Sequence, residues 1–210
     1  MARFGVHVEK AHGISMPVLR KLAREIGTNH SLAQQLWATG IHEARILAGL
    51  VDDPARVTSS QMERWARDFN AWDIVDGSCG NLFVYAAPAW QKVVEWSRRG
   101  PEYEKRAGFA MMAFLAVHDK KAPDAQFVRL LPIIRRHASD ERNFVKKAVN
   151  WALRQIGKRN ARLNRLAIRT AKQIRLSNSS AARWVAADAL RELTSAAVQR
   201  RLSTRARCVA

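Results

Sequence analysis

The chain has 210 residues, 48% of them hydrophobic, enough to bury a sizeable core in one domain or one continuous repeat array. Lysine and arginine total 36 against 18 acids, and the net charge of +18 points to a polyanionic partner, nucleic acid first and a membrane surface second. Charges break every apolar run well short of the roughly 20 residues a membrane span requires, and the two cysteines, Cys79 and Cys208, stand in no paired motif, which argues against a disulfide framework or a cysteine-based zinc site.

Met1 to Gly13 carries Phe4, Val6 and Val8 without a clear period and lacks the pattern of a signal peptide, so the expected location is cytoplasmic. Ser15 and Pro17 then mark a helix start, and Val18, Leu19, Leu22, Ala23 and Ile26 recur at helical spacing until Gly27. Further helices are expected from about Ser31 to Thr39 and from Ile41 to Val51, the latter ended by Asp52-Asp53-Pro54. Thr58 to Asp68 reads as another, with Met62, Trp65 and Phe69 on one side.

The stretch Asn70-Ala-Trp-Asp-Ile-Val-Asp76 follows directly and places Trp72 and Asp76 one helical turn apart on one face. That face continues through Cys79, Gly80 and Phe83, so Asp76 lies in an apolar stripe where a charge must be paired or used. Two readings stand: a functional carboxylate, or a buried acid paired with one of the many arginines. Asp73 is explained more simply, with Asn70 as N-cap and Asp73 near the positive end of the helix dipole.

Pro88 opens the next helix and Pro101 a longer one, whose interior from Arg106 to Ala116 is rich in alanine, methionine and phenylalanine and reads as deeply buried. Arg106 thus sits at the edge of packed structure, as a salt bridge or a phosphate contact. Pro123-Asp124 opens a helix to about His137. From Arg142 to Ala187 there are twelve basic residues and no acid. In the helix after Asp140, Val145, Ala148, Val149, Ala152 and Ile156 form the core stripe, and Lys147, Trp151, Arg154 and Lys158 form another. Trp151 is therefore either an edge-of-core residue or an indole placed among cations for use. The next helix repeats the device with Arg162, Arg165, Arg169 and Lys172, so two basic stripes are expected to build one groove wall. Helices near Ser180 to Leu193 and Ser195 to Leu202 read as a capping pair.

No period-2 strand is apparent, and helix pairs recur at roughly 35 to 45 residues, so the expectation is all-α, a helical-repeat solenoid. Ten scattered glycines make no phosphate-binding loop, and six histidines make no HExxH or deaminase signature, so neither cofactor nor metal is expected.

Three separated motifs then occur in order: Trp72-Asp-Ile-Val-Asp76, Arg106 within Lys-Arg-Ala-Gly-Phe-Ala, and Trp151 within Val-Lys-Lys-Ala-Val-Asn-Trp-Ala-Leu-Arg. Together they resemble the DNA alkylation-repair glycosylases of the AlkD type, over nearly the whole chain. The resemblance implies a curved solenoid of HEAT-like antiparallel helical pairs, one domain over residues 1–210, acting as a monomer on duplex DNA containing alkylated purines. Carried over, Asp76, Trp72 and Trp151 would be catalytic and Arg106 would hold a phosphate; the basic stripes by themselves offer Lys147, Arg154, Lys158, Arg162, Arg165 and Arg169 as further DNA contacts. The chain departs from the family near its start, where Phe4 replaces a tyrosine and the first helical pair is expected to be missing. The implied chemistry is excision of a purine alkylated at N3 or N7. Such a base is already cationic and leaves neutral, so one carboxylate without a general acid suffices. The resemblance also implies that the base is not drawn into a pocket. The competing expectations are a non-catalytic HEAT-like protein that binds branched or damaged DNA, and a scaffold for acidic proteins.

Overall fold

The computed structural model describes residues 10–207, so Phe4 and Cys208 lie outside the described residues. Among these are twelve α-helices and no strand: α1 (Met16–Ile26), α2 (His30–Ala38), α3 (His42–Val51), α4 (Ser59–Arg67), α5 (Trp72–Asn81), α6 (Ala89–Ser97), α7 (Glu102–His118), α8 (Asp124–His137), α9 (Asn143–Gly157), α10 (Ala161–Arg175), α11 (Ser180–Leu193) and α12 (Ala196–Arg207). Local chemistry sets many of the starts. The side chains of Asn29, Thr58, Asn160 and Ser179 each accept a hydrogen bond from a backbone N–H of the following turn, and proline stands at or just before the start of α1, α6, α7 and α8. Helix α5 departs from expectation. It is entered from Ala71, which offers no cap, while Asn70 is exposed and Asp73 instead meets His42 Nε2 at 2.9 Å. A carboxylate beside the first turn is thus held by a neighbouring helix rather than by its own cap. In α8, Pro132 lies inside the helix on its solvent side, where water can satisfy the carbonyl left without an N–H.

Helices of odd number form one layer, α1 on α3, α3 on α5, α5 on α7, α7 on α9 and α9 on α11. Helices of even number back it, with α2 on α3, α6 on α7 and α10 against α9 and α11. Near its N-terminal end the core is an aromatic chain: Trp37 stacks on Trp65 at 3.9 Å between centroids, Trp65 meets Phe83 at 5.8 Å, and Phe83 meets Trp96 at 5.9 Å. Three indole N–H groups are tied across the sequence to carboxylates, Trp37 to Asp68, Trp90 to Asp119 and Trp96 to Glu63.

Helix α7 is buried almost all round from Arg106 to Ala116. Its close approach to α6 rests on Gly108, where a Cβ would fall 2.4 Å from the Ser97 nitrogen. Gly108→Ala should therefore destabilise by about 1–3 kcal/mol, because backbone must move. Gly77→Ala in α5, where a Cβ meets nothing nearer than 3.9 Å, should stabilise by roughly 0.5–1 kcal/mol. Urea denaturation of the two variants tests the opposite signs.

Glu63 supplies a pH test. Burial raises its carboxyl, but hydrogen bonds from Lys92, Arg99 and Trp96 outweigh that and lower it from 4.5 to about 2. A folded value below the unfolded one contributes stability that is complete above about pH 4.5 and is lost as pH falls toward 2. Glu63→Gln should flatten the pH dependence of unfolding free energy over that window; an unchanged slope would remove Glu63 as its source.

Candidate functional site

Trp72 opens α5, and Asp76 lies one turn further along the same face. From the start of the second turn of α7, Arg106 reaches back with Nε 3.0 Å from Asp76 Oδ1 and a terminal nitrogen 2.7 Å from Oδ2. Its other terminal nitrogen donates to the Phe144 carbonyl at the start of α9, 2.8 Å away, and the guanidinium carbon lies 5.8 Å from the Trp72 ring centroid. One arginine thereby joins three helices of the same layer. Both Asp76 oxygens accept, so the paired species is the carboxylate. Removal from water raises the Asp76 carboxyl, and the Arg106 charge pulls against that rise.

Of the two readings of Arg106, this arrangement shows the salt bridge. Its side chain is only 7% exposed, and a guanidinium that cannot reach water takes the nearest carboxylate, so its donors face Asp76 and Phe144 rather than an outer phosphate. Asp76 remains 21% exposed. Pairing with an arginine, which the sequence left as one of two readings, is therefore present, and the carboxylate nonetheless reaches the surface.

Asp76 and Arg106 open on a cleft of about 470 Å³, completed by Lys147, Asn150, Trp151 and Arg154 of α9 and by Trp184 and Asp188 of α11. Trp151 is half-buried, its ring edge-on to Phe114 with centroids 4.8 Å apart. Phe114 fits there because residue 80 is glycine: a Cβ would stand 2.4 Å from the phenyl ring. Trp184 is 42% exposed, with the Lys146 ammonium 5.2 Å from its ring centroid. A second cleft of about 580 Å³ lies at the α7–α8 and α9–α10 turns. There Arg159 is committed to the carbonyls of Ala116, Lys120 and Ala122, and the cleft holds no indole, unlike the first.

The structure gives two cations of the basic stripes partners and corrects the single wall. Arg154 pairs with Asp188 at 3.1 Å and Glu192 at 2.9 Å, and Lys158 pairs with Glu192 at 2.6 Å. The stretch without acids ends one residue before Asp188, and the next helix returns the missing negative charge to α9. Arg162, Arg165 and Arg169 are exposed on α10, in the other layer, with Arg162 3.9 Å from Asp124. The two stripes therefore do not share one wall, because α10 turns its buried face to α9 and its cations away. Lys147 is exposed in the cleft and has no ion pair among the described residues.

Three cleft residues escaped the sequence reading: Asn150, Trp184 and Asp188. Asn150 is buried and donates to Asp188 at 2.6 Å. Trp184 and Asp188 repeat the four-residue tryptophan–aspartate spacing of Trp72 and Asp76, opposite a buried face of Ala181, Ala182, Val185, Ala186 and Ala189. That repeated spacing was the available signal. Among the described residues, no group of three or more histidine, cysteine, aspartate or glutamate side chains could hold a metal ion.

Asp76→Asn should cost roughly 3–5 kcal/mol, since it strands a buried guanidinium. Adding Arg106→Gln should return part of that loss, with a coupling of about 1 kcal/mol or more in a double-mutant cycle. Additive losses by chemical denaturation would mean the pair carries little.

The family model of the DNA alkylation repair enzymes matches residues 1–193. A solved structure, described as a new family of proteins related to the HEAT-like repeat DNA glycosylases with affinity for branched DNA structures, superposes with a TM-score of 0.75. The alignment has 21% identity over 91% of this chain and 87% of that one, and shows a shared all-helical fold. No match was found among curated proteins. With nearly its whole length under the family model, and with the same helical-repeat fold, the chain belongs to the DNA alkylation repair enzyme family.

Proposed function

We propose that the protein hydrolyses the N-glycosidic bond of cationic, N3- or N7-alkylated purines in duplex DNA, as a cytoplasmic monomer without a cofactor. The observation that carries this reading is Asp76: a carboxylate held rigidly by Arg106, still partly exposed, at a cleft lined by Trp151 and Trp184. An alkylated purine needs no proton to leave. What the reaction requires is negative charge where the deoxyribose becomes cationic, and a fixed carboxylate supplies it without reorganising. Each Asp76 oxygen that accepts from Arg106 retains a further lone pair, which could orient water. The face of Trp151 favours the same cation, while Trp72, whose ring already lies against the Arg106 guanidinium, backs the pair that holds the carboxylate. Lys147 stands nearby for phosphate.

A second reading, binding of branched or damaged DNA without excision, is favoured by one observation: Arg106 partly compensates the Asp76 charge. The likeness of fold to a protein with affinity for branched DNA is consistent with it.

The test is release of free base from duplex DNA containing 7-methylguanine. Wild type should release it and should leave uracil in place, because uracil is a poor leaving group without a general acid. Both Asp76→Asn and the Asp76→Asn/Arg106→Gln double variant should excise on the order of 10²-fold more slowly, although the double variant regains stability. Activity that returns with stability would assign Asp76 to folding alone. No release by wild type, with tighter binding to a four-way junction than to linear duplex, would establish the second reading.

A further inference from the structure

Of seven tryptophans, Trp37, Trp90 and Trp96 donate to carboxylates and Trp65 is stacked in the core. The other three stand around Asp76 and Arg106, and Trp184 is the one most open to solvent. The apolar packing of α11 runs through its alanine- and valine-lined face, with Trp184 outside that face and its ring beside Lys146 of α9. Its position is nonetheless fixed. One turn along, Asp188 accepts from Asn150 and Arg154 of α9 and from Arg191, so α11 is clamped against α9 with Trp184 and Trp151 on the same cleft.

We propose that Trp184 is a stacking platform for an unpaired nucleobase, and that it gives the protein a preference for DNA in which a base face is exposed. This rests on the reading of the cleft as the DNA-facing site. The Lys146 ammonium already lies over the indole at 5.2 Å. A second cation brought to that ring meets the lysine's repulsion, so the ring is poorly suited to stabilise the sugar cation or to select a charged base. A neutral aromatic face has no such penalty, and base–indole stacking is indifferent to sequence. Lys147, next in the chain to Lys146 and lining the same cleft, supplies a phosphate contact beside the stacked base. In intact duplex both faces of each base are covered by its neighbours. The platform therefore acts only where an uncharged base is displaced, at a bulge or a gap.

The test compares binding of the full chain to a paired duplex and to the same duplex with a single-nucleotide bulge, for wild type, Trp184→Ala, Trp184→Leu and Trp184→Phe. Wild type should favour the bulge. The alanine and leucine variants should each lose about tenfold on the bulge and stay within about twofold on the paired duplex, while the phenylalanine variant keeps most of the preference. Melting temperature should stay near wild type, since the residue is exposed. Retention by leucine would make the contact merely apolar and overturn the stacking platform, as would equal loss on both DNAs or no loss on either. Wild type that binds both DNAs equally would overturn this proposal alone; wild type that binds neither would overturn the DNA reading of the cleft itself.

Discussion

Enclosure of α7 is the constraint from which the rest of the site follows. The helix lies against α5, α6 and α9, and its alanine, glycine and methionine side chains leave no room for a solvated face. Gly108 lets its backbone meet that of Ser97. A charged residue at the mouth of such a helix cannot extend into water and must find its counter-charge inside. Arg106 finds it in Asp76 and completes its hydrogen bonding on the Phe144 carbonyl, so the packing of one helix determines the orientation of the carboxylate on another.

The acids follow the same logic on a wider scale. With half as many acids as cations, the chain uses its carboxylates to join elements 29 to 38 residues apart. Asp140 is an example, held well below the usual carboxylate range by Arg142 and Lys105. Charge is thereby sorted in large part: many acids are held within the framework, and much of the surplus of cations is left on the surface. Part of that surplus is on α10, away from the cleft, where it contributes to the long-range field around the protein.

An ion pair and a catalytic carboxylate are not exclusive roles. A carboxylate free to rotate would have to reorganise as charge developed; one held on both oxygens is aligned beforehand, at the cost of part of its negative field. Gly80 contributes to the same preorganisation from a distance, by admitting Phe114 and thus seating Trp151.

The sequence by itself determined the helices, because caps, prolines and apolar periodicity act within a few residues. Thr58, Pro101 and Pro123 each stand at a start expected from local chemistry, and the three motifs by themselves point to the family. Asn70 shows the limit even at short range, since a cap depends on backbone angles that composition does not reveal. What only the tertiary structure decided is which charges meet. Arg154 and Lys158 read as free cations because Asp188 and Glu192 stand 34 residues away on another helix, and the stripe on α10 read as part of a wall because its layer is invisible in one dimension. Nothing in the linear sequence tells whether Arg106 turns inward or outward. Electrostatic partners are chosen by distance in space and by exclusion of water, and neither quantity exists until the helices are packed.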